Sequence, residues 1–181
     1  NFNNEIGLPL TVLGPWEEIR GLFFWPRVFL GSLYRLIVRE SDYPEILILE
    51  YAVDRPGDMK YLLDIAQPNI GIITAIGEIP VHVEFFAGPE EVAREKAKLI
   101  EYLPPAGFAI LNNDDETVME LKNRTRAHLM TFGFRDESGV KIANFETRSE
   151  NSRPLGISFK LGHIGNFVPV RLSGVFGKAQ A

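Results

Sequence analysis

"EILILEYAVDRPGDMKYLLDIAQPNIGIIT", residues 45–74, decides the fold. It opens on an unbroken apolar run, Ile46 to Leu49, as expected of a strand buried on both faces. Helical spacing follows at Met59, Leu62, Leu63 and Ala66. "NIGIITAIG" (69–77) then reads as a second buried strand. Downstream, "PEEVAREKAKLIEYL" (89–103) predicts a helix, with Pro89 suited to its first turn and Glu90 and Glu91 favourable at its positive end. "GFAILNNDD" (107–115) is a third strand. Strand, helix, strand, helix, strand is the order of an α/β fold, a mostly parallel sheet with right-handed crossovers and flanking helices.

From about Ala127 the texture changes. "AHLMTFGF", "GVKIANFETR", "GISFKLG" and "NFVPVRLSG" alternate apolar and polar residues between turn residues. These predict half-buried, antiparallel strands. The expected organisation is therefore an α/β core over 1–126 with a small antiparallel β subsheet over 127–173. Upstream, "GPWEEIRGLFFWPRVFLGSLYRLIVRESDYP" (14–44) is the most apolar stretch, split by Pro26 and interrupted by arginines. It is too short and too charged for a membrane span. It reads as one or two amphipathic helices with Phe29, Leu33, Leu36 and Ile37 packed on the core. The alternative is a membrane-surface contact by residues 16–38.

Composition limits the function. With 45% hydrophobic and 24% charged residues the chain reads as ordered and globular. A net charge of -5 and no basic cluster argue against a nucleic-acid surface. Without cysteine there is neither a disulfide nor a thiolate metal site, which fits a reducing cytoplasm. The chain begins at Asn1 and ends in "GVFGKAQA", which looks like the start of a helix, so both ends read as cuts in a longer protein.

In open parallel sheets, ligands bind beyond the carboxyl ends of the strands. Glu50 ends the first strand, His82 lies in the loop after the second, and Asn112, Asn113, Asp114 and Asp115 end the third. Each is ordinary alone, since Asp and Asn are common turn and cap residues. Glu50 stands out, because a charge directly after buried aliphatics needs a partner. Lys96 falls inside the apolar stripe of its helix, between Leu103 and Ile100. Its amine either snorkels to water or is desolvated, which lowers its pKa and leaves it neutral and nucleophilic.

These same residues carry a family likeness. "NFNNEIGLPLTVLG" (1–14) resembles the N-x-N-N-(D/E)-I-G-x-P stretch of the Mur ligases. "LILEYAVDRPGDMKYLLDIAQPNIGIIT" (47–74) resembles their strand-Glu segment, "HVEFFAGPEEVAREKAKLI" (82–100) their His-to-Lys segment, and "AILNNDDE" (109–116) their A-(I/V)-x-N-x-D-(D/N) motif. Four motifs in the right order cover residues 1–118, closest to the branch that adds D-alanyl-D-alanine to a UDP-muramoyl-tripeptide. The resemblance implies the P-loop-NTPase-like central, ATP-binding domain of that family across 1–181. It implies an ATP-dependent carboxylate–amine ligase, working through an acyl phosphate on a UDP-sugar peptide with an amino acid or dipeptide as acceptor. ATP and Mg²⁺ are the cofactors it implies. Residues matching Glu50 and His82 bind magnesium in the family, and the lysine matching Lys96 is carbamylated and helps hold a second ion. The asparagine matching Asn112 contacts adenine, with Asp114 beside it, while Asn3, Asn4 and Glu5 line the phosphate and metal site.

The departures bear on substrate. The phosphate loop G-(T/S)-x-G-K-(S/T) does not occur in these residues, and neither does the family's C-terminal domain. The usual G-R-H-N is replaced by Gly174, Val175, Phe176 and Gly177, and the glycine of Glu-x-Gly by Ala52. The Trp16–Val38 segment is longer than its counterpart. Folylpolyglutamate and cyanophycin-type ligases, which share the domain, are the alternative substrate classes. A non-catalytic nucleotide-binding module is the alternative outside catalysis.

Overall fold

The computed structural model describes residues 3–14, 16, 19–38, 43–76, 85–150 and 153–178. They form two compact units, Asn1–Gln67 and Pro68–Ala181.

The first unit is helical. In α1 (Gly7–Leu13), the Asn4 side-chain oxygen accepts from the Gly7 and Ile6 amides at 2.9 and 3.3 Å. That satisfies donors a helix start leaves open. Leu10 of α1 packs with Phe24 and Val28 of α2 (Phe24–Ile37), with Leu13 and Trp16 against them. The Arg35 guanidinium donates to the Leu13 carbonyl and closes the end of α1. Pro26 does not split the region, because it lies in the first turn of α2 where its missing N–H has no consequence. The face expected in the core is reversed. Phe29, Leu33, Leu36 and Ile37 are exposed, Leu36 to 84%, while Phe24 and Val28 are buried. The period of α2 sets its apolar arc apart from Arg27 and Arg35, but does not say that this arc is the side that is covered.

The strand expected at 46–49 is absent as well. Ile46 and Ile48 are 80% and 88% exposed in irregular, extended chain. A strand needs a neighbour for its amides and carbonyls; beyond the run, the Ala52 amide donates to the Asn3 carbonyl at 2.8 Å. The predicted helix does form, as α3 (Asp58–Ile65), with Met59, Leu62 and Leu63 buried. The Tyr51 hydroxyl donates to the Ala66 carbonyl at 2.6 Å just past its end, and burial raises the phenol's pKa.

The second unit is a six-stranded sheet in the order β1 (Ile70–Ile73), β2 (Phe108–Asn112), β3 (His128–Gly133), β4 (Val140–Glu150), β5 (Arg153–His163) and β6 (Asn166–Ser173). β1, β2 and β3 are parallel, with Ile73 opposite Leu111 and Leu111 opposite Thr131. Between β1 and β2 runs α4 (Pro89–Glu101), which buries Val92, Ala97, Leu99 and Ile100. Gly71 of β1 lies under Leu99 and Leu103, where a Cβ would come within 3.3 Å of each. β1 is buried on one face only, since Ile70 and Ile72 are exposed.

"AHLMTFGF" had been expected to be antiparallel, yet β3 runs parallel to β2. The short α5 (Glu116–Met119) and the 3-10 helix Glu120–Arg124 carry the chain back across the sheet before β3 begins. A parallel neighbour requires such a crossover. β4 meets β3 through two parallel pairs and then joins β5 and β6 in an antiparallel meander. The sheet is therefore continuous across residue 127. Ile142, Ile157 and Phe159 form the meander's core. Its β4–β5 register shifts between Ala143 and Glu146, where Asn144 takes a left-handed conformation, φ 53°.

Gly156 of β5 has φ 151° and approaches β6 so closely that a Cβ would sit 2.0 Å from the Leu172 carbonyl oxygen. Gly156→Ala is expected to cost about 2 kcal/mol or more, through strain and a lost ladder bond. Urea unfolding measures this, and an unchanged midpoint would contradict the packing described.

Candidate active site

Beyond the carboxyl ends of β1, β2 and β3, the side chains of Asn112, Asp114 and Asp115 are tied to backbone. Asn112 ends β2, and its amide nitrogen donates to the Thr74 carbonyl past β1 at 2.8 Å. Its amide oxygen accepts from the Asp114 amide at 2.9 Å. Asp114 accepts from the Phe134 and Arg135 amides at 2.7 and 3.2 Å, past the end of β3. Gly133 makes that approach possible, as a Cβ there would sit 2.8 Å from an Asp114 carboxylate oxygen. Asp115 caps α5 through the Val118 amide at 3.1 Å, and its other oxygen accepts from the Ile76 amide at 2.9 Å. Asn113 donates to the Ser138 hydroxyl at 3.2 Å. Turn chemistry thus laces three strand ends into one rim.

Lys96 reaches the same rim from α4. The apolar stripe around it turns toward β1, so its amine is half-buried and donates to the Ala75 carbonyl at 3.4 Å, a long bond. Desolvation lowers its pKa from the ordinary 10.5, and the charge of Asp115 opposes that effect without cancelling it. Burial thus pulls this amine toward its neutral form.

Glu95, next to it, is the residue sequence reading passed over. It is 4% exposed and pairs with Lys98 at 2.5 Å. Its place at the margin of the stripe was the available signal. Thr74 and Ala75 were missed for another reason, because they contribute carbonyls rather than side chains.

His82 lies outside the described residues. Glu50, Asn3, Asn4 and Glu5 belong to the first unit. Glu50 is exposed, so the premise that it follows buried aliphatics does not hold. The Asn4 side chain caps α1, and the Asn3 carbonyl accepts from Ala52. Among the described residues no three His, Asp or Glu side chains gather as a metal site. The oxygen donors at the rim, and the absence of any thiol in the chain, are of the hard type that suits Mg²⁺.

Comparison with known proteins agrees with this architecture. The Mur ligase middle domain matches residues 32–177. The UDP-N-acetylmuramoyl-tripeptide–D-alanyl-D-alanine ligase of Mycobacterium tuberculosis (strain ATCC 25618 / H37Rv) is 31% identical over 154 residues, 85% of this chain and 25% of that protein. Its namesake in Bacillus subtilis (strain 168) is 27% identical over 94% of this chain and 30% of its own length. Among solved structures, MurF from Acinetobacter baumannii superposes with a TM-score of 0.66 at 21% identity, covering 96% of this chain and 36% of that one. MurF ligase from Thermotoga maritima in complex with ADP gives 0.61 at 25% identity, over 77% of this chain and 31% of that one. The chain thus spans roughly a quarter to a third of the length of these relatives. With residues 32–177 matching one domain and the chain 31% identical to a relative over 85% of its length, the chain belongs to the Mur ligase family, as its middle domain.

Proposed function

We propose that this chain is the ATP-binding middle domain of an ATP-dependent carboxylate–amine ligase acting in the cytoplasm on a UDP-muramoyl-peptide precursor of the cell wall. The names of its relatives support that substrate, with D-alanyl-D-alanine as the incoming dipeptide. The ADP-bound neighbour supports the nucleotide. The observation that carries the reading is the half-buried Lys96 amine beside Asp115 at the carboxyl edge of the parallel strands.

A neutral amine attacks carbon dioxide, its nitrogen lone pair forming the C–N bond while one proton leaves to solvent. The product is a carbamate, an anion where a cation stood. With Asp115 close by, two anions then share one rim, and a divalent cation relieves their repulsion. Lys96 as carbamate would supply an oxygen ligand to Mg²⁺, and Glu50, Glu5 and His82 are the chain's other ligand candidates, by resemblance. When bound, the ion supplies positive charge that neutralises the transferring phosphoryl group. Asn112 retains one N–H and a lone pair for an adenine edge, with Asp114 fixing the loop behind it. Asn3 and Asn4 are candidates for contacting the phosphates, by resemblance. No G-K-S or G-K-T occurs in these residues, so the phosphate loop is assigned to another part of the enzyme, as is the domain that receives the acceptor.

In the full-length enzyme, ADP release should depend on UDP-muramoyl-tripeptide together with D-alanyl-D-alanine, and glutamate should not replace the dipeptide. Turnover with glutamate alone would move the protein to another ligase branch. Lys96→Ala should lower kcat by about 10²-fold or more, with the fold retained. Wild-type-like turnover in this variant would remove Lys96 from the site.

The sign of the Lys96 shift gives a pH prediction. A depressed lysine pKa means that the folded chain releases this proton at lower pH than the unfolded one. Stability relative to Lys96→Met therefore rises with pH, between the folded value and 10.5. The pH profile of amine acylation, followed by mass spectrometry, should show the Lys96 midpoint below 10.5. Asp115→Asn, which keeps a cap but deletes the charge, should lower that midpoint further. A midpoint that rises instead would show that Asp115 does not act on this amine through its charge.

A further inference from the structure

The most conspicuous feature not used by the site is the outward side of α2. Phe24 and Val28 hold the helix to Leu10, and Arg35 ties it to the Leu13 carbonyl. The opposite side presents Trp25, Phe29, Leu30, Leu33, Leu36 and Ile37, all exposed. At about 3.6 residues per turn these share one arc, and no charged residue falls within it. Single exposed apolar residues mean little, but a contiguous face of this kind marks a binding surface.

Charge identifies what the face would meet. Within α2 the charged side chains are Arg27 and Arg35, with neither Asp nor Glu, inside a chain whose net charge is -5. Arg35 faces α1, which leaves Arg27 as the cation beside the outward face, the complement of an anionic surface. Arg27 is exposed at the margin of the apolar arc, and exposed Tyr34 lies beside it. Trp25, stacked on Phe29 at 6.1 Å, lies on the arc's other margin. Aromatic residues with a polar tip, flanking an apolar band next to arginine, suit the headgroup level of a bilayer. The helix has 14 residues and is about 21 Å long, too short to cross a hydrocarbon core of about 30 Å. No helix among the described residues is long and apolar enough to do so.

We propose that α2 is a membrane-surface element, whose outward face docks this protein on a bilayer rich in anionic lipid. The helix lies in the interface plane, with its apolar arc among the acyl chains and Arg27 at the phosphates. The proposal is independent of the ligase reading, and its test does not read activity.

The full-length protein is floated with phosphatidylcholine vesicles, with and without phosphatidylglycerol. It should associate with the vesicles containing phosphatidylglycerol, and do so about tenfold or more weakly when that lipid is omitted, when salt is raised, or in Arg27→Glu. Phe29→Asp with Leu33→Asp should abolish association, while circular dichroism and the melting temperature stay close to wild type because both side chains point outward. Trp25 should report docking directly, through a fluorescence blue shift lost in Trp25→Phe. If the double variant fails to fold, Arg27→Glu and the lipid and salt dependence decide alone. Failure of the folded wild type to associate would overturn the proposal. So would association equal on both vesicle types, or light scattering that shows a dimer broken by the double substitution in a protein that ignores lipid.

Discussion

An apolar stripe on α4 must be covered, and β1 is what covers it. Val92, Leu99, Ile100 and Leu103 are nearly or fully buried, and Gly71 gives up its side chain so that two leucines can settle on the strand. Burying side chains of this size stabilises by roughly 2 kcal/mol each, while the Lys96 ammonium at the margin loses only part of its hydration. Lys96 is carried along by that packing. Its amine is half-buried because its neighbours on the helix need to be, and its chemistry follows from a position set by leucines.

The rim that faces this amine is rigid for a complementary reason. Asp114 and Asp115 each accept two backbone amides, and bonds of this charge-assisted kind contribute about 1.5–3 kcal/mol. Each carboxylate stitches segments that follow different strands. Asp114 joins the ends of β2 and β3, and Asp115 joins α5 to the chain leaving β1. Arg124 and Glu101, paired at 2.6 Å, fasten the crossover to the end of α4. The site is therefore held in place before any ligand arrives, which is what catalysis by positioning requires.

How far the sequence was legible depended on what each signal measures. Met59, Leu62 and Leu63 on one helix, and the stripe of the next, were readable because a helix packed on one side leaves a period. The continuous run from Ile46 to Leu49 misled, because apolarity states only that a segment can be buried, while a strand also needs a hydrogen-bonded neighbour. The α2 segment misled in the same way, since an apolar arc states only that a face can be buried. β3 alternates as an antiparallel strand would, yet lies parallel, because direction is set by the crossover before it.

By itself the sequence determined the α/β order of elements, the polar cluster at Asn112–Asp115 and the misplaced lysine in α4, because these depend on local period and on residue type. Tertiary structure alone decided that Lys96 meets the Ala75 carbonyl and the charge of Asp115, that Glu95 is buried, and that α2 turns its aromatic and aliphatic side outward. Those outcomes depend on which surfaces come together across gaps of many residues, and close approach in space leaves no periodic trace in the chain.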